Sequence, residues 1–247
     1  MATNASKLLE LCNDRQEIQN VLGLYCRAID RLDVELLKSI YHPDGTDHHG
    51  PYAASAHDFA DIIMARLREI VIYGFHTVTH SVIEVHGRFA EAESYYYGYH
   101  KIAPGYAAIE NFFGKKYADE QVRNGKIGQA HEYLCAGRYL DVLEKRKGQW
   151  KILHRDITNE WGQCQPINLS DEGEPGRFVL PGSRDRQDPV YALLAKIQKA
   201  AGKTVAGDKS RKPTRARANA KANAKANAKA PAKARATKVK GRKQSRR

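Results

Sequence analysis

From about Asp14 to Ile29 the residues Ile18, Leu22, Tyr25 and Ile29 recur at i, i+4, i+7 and i+11, the spacing of one buried stripe on an amphipathic helix. Asp33 is placed to cap a second helix through Tyr41. The run His42-Pro43-Asp44-Gly45 then ends it, because proline and glycine interrupt helical hydrogen bonding and open turns. A third helical pattern covers roughly His57 to Ile72, with Phe59, Ile62, Ile63, Leu67 and Ile70 on its apolar face. Beyond His80 the period shortens to that of strands: SVIEVH, a Gly87-Arg88 turn, then the tyrosine-rich AEAESYYYGYHK. HEYLCAGRYLDVLEKR and QWKILHRDITNEW, joined by Lys147-Gly148, predict a long antiparallel hairpin. Between these strand pairs, Tyr106 to Gly128 predicts a helical or loop insertion whose Phe112 and Phe113 are placed to close over a pocket. Helices first and long antiparallel strands afterwards imply an α+β fold, helices packed on one face of a bent sheet. Residues 162–187, rich in Gly, Pro and charge, read as irregular, and Asp188-Pro189 starts a short helix ending near Ala201.

Charge changes this picture at one end only. The chain of 247 residues has a formal charge of +13, but the segment from Lys209 to Arg247 holds sixteen Lys and Arg and no acid, leaving the rest at −3. That segment repeats Ala-Lys-Ala-Asn and has no large apolar side chain to bury, so it is expected to be disordered. Its lysines could contact a polyanion nonspecifically and in a salt-dependent way. No aromatic residue interrupts it to stack on bases, and simple solubilisation explains it equally well. Four cysteines, Cys12, Cys26, Cys135 and Cys164, form no CxxC pair, and the first residues lack a basic segment followed by an apolar run. Free thiols and a cytoplasmic location are therefore expected. No apolar stretch approaches the roughly 20 residues that span a bilayer.

Four polar residues carry the candidate chemistry: Tyr25, Asp30, His80 and Arg155. A carboxylate beside an imidazole fixes its tautomer and stabilises its cation, which makes a general base at neutral pH. A phenol and a guanidinium would serve an oxygen that gains negative charge. Each residue also has a plainer reading. Asp30 could begin a turn or pair with Arg31, His80 could be an ordinary interior or surface histidine, and Tyr25 could be a core tyrosine. Arg155 shares strand parity with Leu153 and Ile157, which points it inward, where a structural ion pair would equally account for it. Five residues on a regular helix span about 140° of rotation. Tyr25 and Asp30 can thus share a pocket only if the helix ends near Ile29 or the cavity wraps around its terminus.

The segments EIQNVLGLYCRAIDRLD, THSVIEVHGRFAEAESYYYGYH and AGRYLDVLEKRKGQWKILHRD, in that order and spacing over about residues 10 to 162, resemble the SnoaL-like branch of the nuclear transport factor 2-like superfamily. The resemblance implies a cone-shaped α+β barrel, with three N-terminal helices packed on a curved, mainly antiparallel sheet around a deep pocket. The implied organisation is an N-terminal extension over 1–12, the barrel domain over 13–162, a C-terminal extension with a short helix over 163–204, and the basic tail over 205–247. It also implies an activity like that of cofactor-independent lyases such as bile-acid dehydratase, scytalone dehydratase and hexachlorocyclohexane dehydrochlorinase. In those enzymes an Asp near the end of the first helix and a His at the entrance to the first long strand match Asp30 and His80. Tyr25 and Arg155 match the positions of a catalytic tyrosine and an active-site arginine.

The expected function is a lyase on a hydroxylated aromatic or polycyclic substrate, releasing water or formaldehyde. An isomerase or polyketide cyclase on the same fold, and a ligand-binding module tethered by the tail, are the alternatives. His48, His49, His100 and Tyr97 are expected to line the pocket, and His131 and His154 to be structural. The tandem Asp47-His48-His49 and the pair His76-x-x-x-His80 invite a metal reading. The HExxH glutamate is absent and no cysteine accompanies the histidines, so no cofactor or metal is expected. A homo-oligomer is expected by analogy with the superfamily.

Overall fold

The computed structural model describes residues 4–167 and 182–207. The chain divides into two units between Ala192 and Leu193. The first contains helices α1 (Asn4–Asp30), α2 (Val34–Ser39), α3 (Ala56–Ile70), α4 (Tyr106–Phe113) and α5 (Lys115–Arg123). It also contains strands β1 (Tyr41–His49), β2 (Tyr52–Ser55), β3 (Val71–His86), β4 (Phe89–Ile102), β5 (His131–Arg146) and β6 (Gln149–Pro166). A last helix, α6, covers Pro189–Gly207. The fold is α+β: a curved, unclosed sheet of strand order β2-β1-β6-β5-β4-β3, antiparallel except where β1 runs parallel to β6. The segment 168–181 and the basic stretch 208–247 lie outside the described residues, and so does the expected polyanion contact. Among the described residues no helix is long and apolar enough to cross a membrane.

The predicted stripe on α1 is the core stripe: Ile18, Leu22, Tyr25 and Ile29 are all buried and pack in the main core with Leu143 and Ile152. Each such side chain contributes roughly 1.5–3 kcal/mol by leaving water. The helix begins ten residues before Asp14, in a Lys-Leu-Leu-Glu-Leu run of strong helix formers whose Leu8 and Leu9 stay exposed, so propensity rather than burial extends it.

α1 stops at Asp30 for a visible reason. Leu32 adopts φ 50, Asp33 N donates to Ala28 O at 2.9 Å and Leu32 N to Ile29 O at 3.3 Å, the paired bonds of a Schellman end with leucine in the place glycine usually takes. Asp33 then caps α2 by accepting from Leu36 N at 3.2 Å. Behind this corner, residues 182–188 are bolted on by Arg31–Asp188 at 2.9 Å and Arg186–Asp33 at 2.9 Å, with Tyr191 Oη donating to Asp33 at 2.8 Å.

Three expectations about boundaries change. α2 ends at Ser39, and His42-Pro43-Asp44-Gly45 lies within β1, where the pairing with β6 breaks between Tyr41 and Thr46. A Cβ on Gly45 would sit 2.9 Å from His42 O and 3.2 Å from Ile152 O, so glycine lets the two strands approach across that break. α3 ends at Ile70, and the β-formers Val71-Ile72-Tyr73 open β3 nine residues before His80. β6 runs through Trp161 to Pro166, and α6 begins as expected at Pro189, with Asp188 accepting from Val190 N at 3.0 Å.

Candidate active site

A cavity of about 550 Å³ opens between α1, α3, α4 and the inner face of the sheet. Its walls are largely apolar and aromatic, with Ile63, Leu67, Phe112, Tyr96, Tyr133 and Tyr139 prominent. The polar groups are few: Tyr25, His49, His76, His100, Arg66 and Asn159. Such a lining suits a ring-bearing ligand with a few polar attachments.

At one end of it the final residue of α1 meets β3. Asp30 is 5% exposed and accepts two hydrogen bonds from one residue, the ring Nδ1 of His76 at 2.7 Å and the His76 backbone N–H at 3.0 Å. The double contact fixes both the imidazole and the strand that carries it. Because Nδ1 is engaged by the carboxylate, Nε2 is the nitrogen left for proton transfer. One turn before Asp30, Cys26 has its thiol pushed up to about 11, first by burial and then by the Asp30 charge. Tyr25 lines the same cavity directly, whereas Asp30, still within the regular helix and so about 140° away, reaches it only through His76.

The imidazole expected to meet Asp30 was that of His80, and this is corrected. Between Val78↔Tyr96 and His80↔Tyr95 the β3–β4 register shifts by one residue. Thr79 is the extra residue, and its hydroxyl donates to Tyr95 O at 3.2 Å. Such a bulge reverses the alternation: His76 and Val78 face the interior before it, Ile83 and Val85 after it. His80 is thereby turned out to solvent, stacked on exposed Tyr95 with ring centroids 4.7 Å apart. The helical i,i+4 alignment of His76 and His80 as metal ligands fails with it, because both stand on a strand and on opposite faces.

Arg155 points inward with Ile157, as expected, although Leu153 does not share that face: the β5–β6 register shift leaves Ile152 as the core residue before it. Arg155 serves the core. It is fully buried, donates through Nε and Nη2 to Asp141 at 2.6 and 2.8 Å, and lies between the rings of Tyr25 and Tyr139 at 4.0 and 4.2 Å. Asp141 stands opposite Arg155 in the β5–β6 register, and the pair sits behind the Tyr25 ring rather than in the cavity wall. The expected direct contact with a reacting oxygen is corrected to a buried ion pair beneath Tyr25. Burial, and after it the Asp47 charge, hold the Tyr25 phenol far above the usual tyrosine range, so it remains a protonated donor.

Of the four expected pocket residues, His49 and His100 line the cavity and His48 and Tyr97 do not. Neighbours on a strand alternate, so His48 and His49 cannot both face inward. His48 is exposed on the outer face of β1, and Tyr97 is exposed on the outer face of β4, edge-on to Trp161 at 6.3 Å. Tyr96, one residue from Tyr97, is the inward ring and stacks on Tyr139 at 4.4 Å.

His100 lies 4.9 Å from His76, ring edge to face. Gly98, between them in parity and opposite His76 in register, leaves the room, since a Cβ there would come within 3.0 Å of Cys135 Sγ and 3.5 Å of the His76 ring. Burial, then the charges of His76, Arg184 and His49, push His100 well below the ordinary imidazole range, so it is neutral. A histidine depressed in the native state takes up a proton in the unfolded chain first. Stability from this group is thus complete above about pH 6.5 and falls as pH drops below it, at no more than about 1.4 kcal/mol per pH unit. His100→Gln should flatten this decline in urea-unfolding midpoints measured from pH 7 to 5.

His76, Tyr96, Tyr133, Tyr139 and Asn159 are site residues that sequence reasoning missed. His76 was in view as half of a histidine pair, but nothing in the sequence marks the bulge that selects it.

The chain's residues 10–156 match the SnoaL-like domain family. No curated protein sequence matches the chain. Among solved structures, it is similar to the hexachlorocyclohexane dehydrochlorinase LinA-type3 from Novosphingobium barchaimii LL02, at 17% identity and TM-score 0.50, over 70% of this chain and 99% of that one. A hexachlorocyclohexane dehydrochlorinase LinA Type2 gives 16% identity and TM-score 0.50, over 68% and 98%. A nuclear transport factor 2-like superfamily protein from Salmonella enterica serovar Typhimurium LT2 gives 18% and 0.46, over 66% and 99%.

Proposed function

The chain belongs to the SnoaL-like domain family, and from that premise we propose that it is a cofactor-independent lyase acting on a hydroxylated aromatic or polycyclic compound. The observation that carries this reading is the buried Asp30–His76 contact of 2.7 Å at the edge of an aromatic cavity of about 550 Å³. His76 takes a proton from the substrate carbon through Nε2, and Asp30 stabilises the imidazolium that forms. The electron pair left on carbon forms the new double bond as the adjacent C–O bond breaks. The protonated Tyr25 phenol donates to the departing oxygen, so that water leaves, and the imidazolium proton restores the phenol. Neutral His100 and the aromatic walls exclude water and hold the ring system. On a primary carbinol the same groups release formaldehyde: His76 takes the hydroxyl proton, the O–H pair becomes the C=O of formaldehyde, and the carbon that receives the broken C–C pair is protonated by the Tyr25 phenol, which the imidazolium proton restores.

Two features support the remaining expectations. The outer sheet face exposes Val142, Tyr97 and Trp161, which fits self-association through the sheet. The cavity's capacity fits one drug-sized ligand rather than a polymer.

Incubating the purified chain with hydroxylated steroids and lignin-type diaryl diols, and reading product masses, tests the reading. A product lighter by one water or one formaldehyde is expected for at least one compound class. A product of unchanged mass would mean isomerisation or cyclisation. Ligands that bind and return unaltered would mean a binding module.

A further inference from the structure

The outer face of the sheet carries a second group of histidines that the cavity does not use. We propose that His48, His154 and Asp156 bind a divalent transition-metal ion of the zinc or cobalt type on that face. The parallel register of β1 and β6 sets His48 opposite Asp156 and Thr46 opposite His154, so the three side chains rise from two adjacent strands on one face. His48 Nδ1 lies 3.1 Å from Asp156 Oδ1, and His154 Nε2 lies 3.0 Å from Asp156 Oδ2. One ligand atom from each residue falls within 4.8 Å of the others.

These distances fit an ion's coordination edge. Ligands about 2.0–2.2 Å from a metal, at tetrahedral or octahedral angles, stand roughly 3–3.5 Å apart, which both imidazole–carboxylate edges already satisfy. The widest separation closes by rotation of the His48 side chain, which is about half exposed.

His154 is also oriented from behind. Its Nδ1 lies 2.7 Å from Thr46 Oγ1, which holds the ring with Nε2 toward the site, as hydrogen bonds behind metal-bound histidines do. The two imidazoles meet edge to face at 4.8 Å over the one carboxylate. The surroundings favour a cation: beside His154 and Asp156 a cleft is lined by Glu84, Glu91 and Glu93. Two neutral imidazoles and a carboxylate select zinc, cobalt or nickel over magnesium or calcium, which prefer oxygen alone. Three protein ligands leave at least one coordination position for water or another donor.

The other grouping of this kind among the described residues, Glu84, His86 and Glu91, is looser and fully exposed, with its His86–carboxylate distances at 3.8 and 3.9 Å. It serves as the control.

The test uses the full-length chain, stripped with chelator and titrated with Zn²⁺ by calorimetry and with Co²⁺ by visible absorption. About one equivalent per chain is expected, with a d–d band of a nitrogen- and oxygen-ligated ion. His154→Ala and Asp156→Ala should each abolish stoichiometric binding, Thr46→Val should weaken it about tenfold, and His86→Ala should leave it unchanged. Because the three ligands sit at the surface, circular dichroism should be the same for all variants. The proposal is overturned if no stoichiometric binding occurs, if His154→Ala and Asp156→Ala bind as the parent does, or if binding is lost only in His76→Ala.

Discussion

Replacing His76 with alanine is expected to lower turnover by about two to four orders of magnitude, while His80→Ala leaves it within about twofold. The contrast follows from one bulged residue. Thr79 reverses the facing of β3, so that His76 meets Asp30 in the interior and His80 stacks on Tyr95 in solvent. Asp30→Asn should fall as far as His76→Ala, because the amide can neither stabilise the imidazolium nor enforce the same tautomer. The double variant should be little worse than either single one, since the two groups act as a unit. Steady-state kinetics on any compound that the product-mass screen identifies, run for the four variants side by side, checks this. Loss of turnover in His80→Ala with His76→Ala unaffected would reverse the assignment.

The second large effect is on stability. Asp141→Ala is expected to cost about 3–5 kcal/mol, because it strands a guanidinium with no exposure to water between two tyrosine rings. Removing both charges as Asp141→Leu with Arg155→Met should recover most of that loss, since the desolvation penalty then disappears along with the attraction. Urea unfolding of Asp141→Leu, Arg155→Met and the double variant measures the coupling. A loss below about 1 kcal/mol in Asp141→Ala would mean that Arg155 turns to another anion. Asp47, whose Oδ2 is engaged by Tyr41 at 2.6 Å while its Oδ1 has no hydrogen bond, is the nearest candidate.

These two sites also mark what the sequence could and could not say. The stripe Ile18, Leu22, Tyr25 and Ile29 was legible because burial on a helix repeats every 3.6 residues whatever the neighbours do. The inward direction of Arg155 was legible from its parity with Ile157, but not from that with Leu153, since the β5–β6 register shift buries Ile152 instead. Its partner was not, because Asp141 lies across a hairpin whose register is fixed by a shift between Val142 and Leu143. Asp30 was singled out through the family resemblance, which places an Asp near the end of the first helix. Choosing between His76 and His80 required the bulge, which arises from pairing β3 against β4 and leaves no local signature beyond a threonine. The tandem His48-His49 was read as one feature, although alternation divides it between the cavity and the outer face. The strap of residues 182–188 behind the α1–α2 corner was invisible as well, since Arg31, Asp33, Arg186 and Asp188 look like scattered surface charge until they meet.

The most direct test needs no substrate. In the full-length chain labelled with ¹⁵N-histidine, a downfield Nδ1 proton of His76, present in the parent, should disappear in Asp30→Ala and persist in His80→Ala. A spectrum in which that proton survives Asp30→Ala, or is lost with His80→Ala, would contradict the pairing of Asp30 with His76 on which the catalytic reading stands.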